Sequence, residues 1–311
     1  MSDQASGQAI TVANAPCSFG AFELTVGINP NVPDPVALLD QVAETGYAGI
    51  DLGPPGYLGL GDELHERLSS RGLALAGGYL ELPYTDHDAL REAIDRDLNE
   101  LLTVFDAVGD IEPRPKPTLA DPGSPVRRAN PGRSDKDRSF GWSDADWRRF
   151  ADGFALVHEY CLNRGYEPTF HNETGSYVEA PWEIEKVLEL TGVGFCLDTG
   201  HLVVAGGDPV AAVRDWSGRI NHLHVKDVRQ GVLDSIVADH GDTDEIWKRR
   251  AFCALGEGDI PLADVFDAVR SSGYSGWLVV EQDIFPEAAD PPGWAADQQA
   301  INRAFLRSRG I

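Results

Sequence analysis

The chain has 311 residues, 42% of them hydrophobic, and a formal net charge of −24. That length supports one large core, and the acidic surplus argues against nucleic acid and anionic membrane surfaces, which are bound through basic patches. No apolar run reaches bilayer-spanning length, and the opening MSDQASGQ is polar and acidic, unlike an export signal. A cytoplasmic protein is the expectation. Cys17, Cys161, Cys196 and Cys253 show no paired spacing and are read as reduced thiols.

Strand-like runs alternate with amphipathic stretches from end to end, the order that builds a parallel sheet covered by helices. ITVANAP at 10–16 is the first strand. The segment from Pro33 places Val36, Leu38, Leu39 and Val42 on a helical period and stops at Gly46. YAGIDLG at 47–53 is the second strand, a helix covers 62–71, and LALAGGYLEL at 73–82 is the third strand. A long helix over 86–108 follows. Prolines crowd PRPKPTLADPG at 113–123 and remove ladder donors, which confines the fourth strand to 117–120. The polar stretch 121–141 reads as a loop over a barrel mouth. Ser143 caps a helix that ends at Gly165, and four further strand-helix pairs complete eight. The expected fold is therefore α/β, one (β/α)8 TIM-barrel domain over 1–311, with a loop insertion at 121–141 and a helical excursion at 234–252.

Four segments in the C-terminal half end an apolar run near a metal-ligating side chain: FHNETG at 170–175, CLDTGH at 196–201, NHLHVKD at 221–227 and WLVVEQD at 277–283. In a parallel barrel the loops leaving the C-terminal strand ends converge on one mouth, so Glu173, Asp198, His224 and Glu281 are expected to meet. The 173–198 and 198–224 intervals each suit one strand-helix unit, and the excursion at 234–252 falls within the longer third interval. Three carboxylates and one imidazole, without cysteine, make a hard site for Mn²⁺ or Co²⁺, then Mg²⁺, rather than for structural zinc. Salt bridges at the sheet edge are the alternative, disfavoured because an unpaired charge beside such apolar runs is costly to bury.

Strand alternation puts His222 and His224 on one face, and Lys226 continues that parity toward the mouth. Lys226 can hold a substrate oxygen there or pair with Asp227; His222 reads as a packing or ligand-supporting residue. His201, beyond the turn-permitting Gly200, is a proton shuttle or substrate contact, or equally a helix-capping histidine. His171 shares a face with Glu173. Tyr57, on the stiff LGPPGYLGLG loop, either lines a polyol pocket or packs. Asp208 and Pro209 in AGGDP mark a helix start. The glycine-rich fingerprint of dinucleotide binding, the phosphate loop and the GxSxG elbow are absent, which removes nucleotide and serine-hydrolase readings.

Taken together, these segments resemble the xylose-isomerase-like barrel superfamily of sugar phosphate isomerases and epimerases, and within it the inosose dehydratase (2-keto-myo-inositol dehydratase) family. The resemblance covers most of the chain. It is densest from WSDADW at 142–147 through EIEKVLELT, LDTGH, RINHLHVKDVRQGVL and GYSGWLVVEQD, with an echo in ETGYAGIDLG at 44–53. KDVRQGVL is similar to the dehydratase branch, whereas LDTGH and HxHxKD are shared more widely. The family's four metal-holding positions match Glu173, Asp198, His224 and Glu281. Dehydratase-type chains carry HHHMGTG where this one has FHNETG, so Glu173 resembles the ligand of ketose epimerases.

The resemblance implies a metal-dependent lyase of inositol catabolism that dehydrates a keto-polyol. Glu173, Glu281 and His201 would handle protons, while His171, Lys226 and Tyr57 would face a polyol or sugar substrate. An isomerase or epimerase acting on a ketose or inosose is the alternative, and a non-catalytic sugar-binding barrel the third reading. A homo-oligomer is left open.

Overall fold

The computed structural model describes residues 10–109 and 111–311, so the opening MSDQASGQ segment lies outside the described residues. The strands are β1 (Ile10–Asn14), β2 (Gly49–Asp51), β3 (Ala74–Glu81), β4 (Lys116–Ala120), β5 (Thr169–His171), β6 (Gly194–Asp198), β7 (Ile220–Val225), β8 (Asp227–Val228), β9 (Phe252–Cys253) and β10 (Gly276–Val280). Eight of them close a parallel barrel in the order β1-β10-β7-β6-β5-β4-β3-β2, the (β/α)8 arrangement expected from the alternating pattern. The remaining pair, β8 and β9, is antiparallel, and helices Gln230–Ala238 and Thr243–Lys248 fill the interval between them.

Local chemistry sets the helices. Asp34 accepts the Val36 and Ala37 N–H groups, Pro35 fixes the first turn, and Gly46 closes helix Pro35–Thr45 at φ 86°. Helix Asp144–Asn163 opens with a Ser143/Asp146 capping box and buries Trp147, Phe150, Phe154, Val157 and Cys161. Asp208 caps helix Pro209–Trp216 through the Val210 and Ala211 N–H groups. The helix expected over 86–108 is interrupted: a π-helical turn, Ile94–Leu98, joins His87–Ala93 to Asn99–Ala107. Leu90, Ile94, Leu98 and Leu102 recur every four residues, wider than the 3.6-residue α period, and the widened turn keeps all four facing the core.

The main core lies between strands and helices, while a smaller cluster of Ala13, Ala15, Ala76, Trp277 and Val279 fills the barrel interior. Trp277 Nε1 donates to Pro113 O at 2.9 Å. A Cβ on Gly49 would stand 2.8 Å from the Trp277 ring, so glycine is what lets the indole plug the barrel. This apolar plug leaves the polar lumen residues toward the C-terminal strand ends.

Stretch 121–141 is tied down by a buried guanidinium. Arg127 donates to both Glu183 oxygens at 2.9 Å and to Ser176 O at 2.6 Å. Glu179 accepts the Gly175 N–H at 2.9 Å and the Gly132 N–H, linking this stretch to the loop after β5. Burial lifts the Glu179 carboxyl to about 7 against the pull of Arg127. Replacing Arg127 with Met leaves two buried carboxylates without a counter-charge, and urea denaturation should show a loss of about 3–5 kcal/mol. Lys186→Met, which breaks the exposed pair with Glu189, should leave the midpoint where it is.

Candidate active site

Parallel pairing sets Asp198 opposite His224, and Cys196 opposite both His171 and His222. Alternation along adjacent strands turns this set into the lumen. Asp198, His224 and Glu281 each bring a donor atom to within 4.8 Å of the others. Among them stands a lysine. Lys226 Nζ lies 2.7 Å from Asp198 Oδ2, is hydrogen-bonded to Glu281 Oε2, and is 3.6 Å from Asp283 Oδ2. His224 Nδ1 is 3.1 Å from Glu281 Oε2, an ion-pair contact without hydrogen-bond alignment.

Burial by itself would favour the neutral form of each group, yet the attractions win. Against burial, Lys226 holds the Asp198 carboxyl well below the usual carboxylate range, and His224 with Lys226 does the same for Glu281. The three facing carboxylates in turn keep Lys226 charged in spite of its burial.

Glu173, expected to meet Asp198, His224 and Glu281, instead occupies another side of the mouth, outside the set whose donor atoms lie within 4.8 Å of one another. Its Oε1 is 3.4 Å from His201 Nε2 and its Oε2 is 3.6 Å from His171 Nδ1, with the side chain 20% exposed. Burial, followed by the Asp283 and Asp198 charges against the pull of Lys226, raises its carboxyl well above the ordinary value. His201 bridges the two sides, with Nδ1 2.7 Å from Thr174 Oγ1 and Nε2 3.7 Å from Asp283 Oδ2. Burial keeps His201 neutral and lowers His171 to about 4.

The structure selects the packing reading of Tyr57, removes the Asp227 pairing of Lys226 and changes the reading of Gly200. Tyr57 packs in the main core with its hydroxyl donating to Pro33 O at 2.6 Å, so it does not line the mouth; the Tyr79 ring lies 5.8 Å from that of His171 and the Phe252 ring 5.5 Å from that of His201. Lys226 does not pair with Asp227, whose carboxylate accepts the N–H groups of Val228, Gly256, Gly258 and Ile260. Gly200 makes no turn. It lies in helix Thr199–Val204, where a Cβ would meet Lys226 Cβ at 2.6 Å and the Phe252 ring at 2.8 Å.

Sequence reasoning also missed Asp51, Asp283 and Cys17. Asp283 shares the parity of Glu281, and Asp51 ends an apolar run like those of the four segments, so both carried a signal. Cys17, clustered with Glu281 and Asp283, carried none.

The donor set fits a divalent cation. Both ring nitrogens of His171 and His224 are buried without hydrogen-bond partners, and Asp198 and Glu281 already converge on a positive charge. Lys226→Met should cost the metal-free protein about 3–5 kcal/mol in urea, because Asp198 and Glu281 would face each other uncompensated, with Mn²⁺ restoring much of the loss. An unchanged midpoint would contradict this account. Gly200→Ala, by displacing Lys226, should lower the melting temperature by several degrees, roughly 2–4 °C per kcal/mol lost in a chain this large.

Comparison with known proteins identifies the family. The xylose isomerase-like TIM barrel family matches residues 39–304. Inosose dehydratase from Bacillus thuringiensis (strain Al Hakam) is 32% identical over 171 residues, covering 54% of this chain and 56% of that protein, so the alignment spans little more than half the relative's length. Inosose dehydratase from Geobacillus kaustophilus is 26% identical over 268 residues, 83% of each chain. Among solved structures, L-ribulose 3-epimerase superposes with a TM-score of 0.67 at 17% identity, covering 96% of this chain and 94% of that one. A probable 3-DHS dehydratase from Bacillus anthracis gives 0.63 at 14% identity, covering 96% and 99%. At these identities the structural likeness is one of fold. The chain belongs to the xylose isomerase-like TIM barrel family.

Proposed function

We propose that this protein is a divalent-cation-dependent hydro-lyase that dehydrates a keto-polyol of the inosose type. The observation that carries the reading is the convergence of Asp198, His224 and Glu281 beside a separate Glu173–His201 pair. The relatives named inosose dehydratase support the substrate class. Asp198, His224 and Glu281 would hold the cation, with Mn²⁺ or Co²⁺ suiting their oxygen-rich set, while Glu173, the family's fourth position, stands apart from them in this chain and serves as the base. A cation there supplies Lewis-acid stabilisation of negative charge developing on a substrate carbonyl oxygen.

The side chains divide the remaining work. Glu173 removes the proton from the carbon next to the carbonyl, a task suited to a carboxylate whose basicity burial has raised. Glu281 is engaged by Lys226 and His224 and has no proton to give. His201 therefore passes a proton from the carboxylates at its Nε2 to the departing β-hydroxyl, while Thr174 fixes the ring at Nδ1. The proton taken from carbon equals the one that leaves with the hydroxyl as water, so the step balances. His171 and Lys226 border the same space and orient substrate oxygens. An enzyme of this kind works on a free polyol in the cytoplasm.

A second reading, epimerisation or isomerisation of a ketose or inosose, is favoured by Glu173 itself, a carboxylate after β5 as in ketose epimerases. Incubating Mn²⁺-loaded protein with 2-keto-myo-inositol in D₂O separates the two. Enone absorbance with release of water supports the lyase; deuterium incorporation without dehydration supports the epimerase; neither result removes both. Glu173→Gln should lower kcat by about 10²–10⁴ while leaving bound Mn²⁺ near the wild-type level. Wild-type turnover in that variant would remove Glu173 as the base.

A further inference from the structure

Below the mouth, His222 is fully buried, and neither of its ring nitrogens has a hydrogen-bond partner. A buried imidazole left in that state calls for an occupant that bonds it. Its neighbours supply the rest of a ligand set, since Asp51, His222 and His224 each bring a donor atom to within 4.8 Å of the others. Asp51 Oδ2 stands 3.7 Å from His224 Nε2, too far for a hydrogen bond. That separation suits two ligand atoms each about 2.0–2.2 Å from one shared ion. Asp51 is held in place by the Leu52 N–H on Oδ1 at 3.1 Å, which leaves Oδ2 facing His224. Gly77 keeps the space open, because a Cβ there would lie 3.1 Å from Asp51 Oδ1.

We infer that the barrel lumen holds a second, inner cation site built from Asp51, His222 and Nε2 of His224, distinct from the mouth site of Asp198, Glu281 and Nδ1 of His224. Two imidazoles and one carboxylate form a borderline-soft set, and the Cys196 thiol clusters with His224 and His171 alongside. The cation class is therefore Zn²⁺ rather than Mg²⁺. His224 faces an ion with each ring nitrogen when both sites are filled, and its last ring proton leaves to solvent. The inner ion bonds no substrate, and its binding does not require the mouth site to be filled.

Calorimetric titration of the metal-free protein with Zn²⁺, paired with elemental analysis after desalting, tests this. Wild type should bind two equivalents; His222→Gln and Asp51→Asn should each bind one; Glu281→Gln should keep the inner ion and lose the mouth ion. Two removal variants are used so that a folding defect in either, judged by circular dichroism, leaves the other. One equivalent in wild type that survives His222→Gln overturns the inner site and spares the mouth site, as does a two-equivalent isotherm unchanged in both removal variants. One equivalent lost in His222→Gln but kept in Glu281→Gln supports the inner site and removes the mouth site. No binding in any form overturns both.

Discussion

The Lys226 ammonium among buried carboxylates is the interaction on which the mouth depends. Asp198 ends β6 while Glu281 and Asp283 both follow β10, and without a positive charge between them their mutual repulsion would open the site. The fold places that charge by two apolar devices: a Trp277 plug that fills the barrel interior, and a helix, Thr199–Val204, that packs Gly200 directly on the lysine stem. Lys226 is thus a resident cation in a place whose carboxylates also suit a divalent one. A divalent ion bound there would compete with the ammonium for the same oxygens.

Across the mouth, Glu173, His201 and Thr174 form a group of opposite character. Its carboxylate is held closer to its neutral form, and its imidazole is neutral. One side of the site therefore holds fixed charge and the other carries groups nearer neutrality, the division on which the proposed proton abstraction beside a carbonyl relies. His201 joins them, because its Nε2 faces both Glu173 and Asp283. Arg127 ties stretch 121–141 to Ser176 in the loop after β5 and to Glu183, so the stretch is anchored rather than loosely draped.

Barrel topology was legible because strand and helix periods alternate so regularly, and because caps such as Ser143 and Asp208 mark the helix starts. The convergence of Asp198, His224 and Glu281 was legible for the same reason: strand ends in a parallel barrel share one mouth. What the sequence hid were properties of three-dimensional approach. Gly200 looked like a turn residue, and only the packing of β7 against the helix after β6 shows that it makes room for Lys226. Tyr57 stayed open between pocket lining and packing because loop direction has no signature in one chain. The partnership of Lys226 with Asp198 and Glu281 was invisible, since Asp227 next to it was the nearer carboxylate in sequence. The π-helical turn at 94–98 was readable in principle from the four-residue recurrence of Leu90, Ile94, Leu98 and Leu102.

The most direct test is a crystal of the protein soaked in Mn²⁺ and measured for anomalous scattering. The account predicts a peak bounded by Asp198, His224 and Glu281, with Lys226 Nζ displaced from between the two carboxylates. A map in which Lys226 still bridges Asp198 and Glu281 and no manganese lies between them would contradict it.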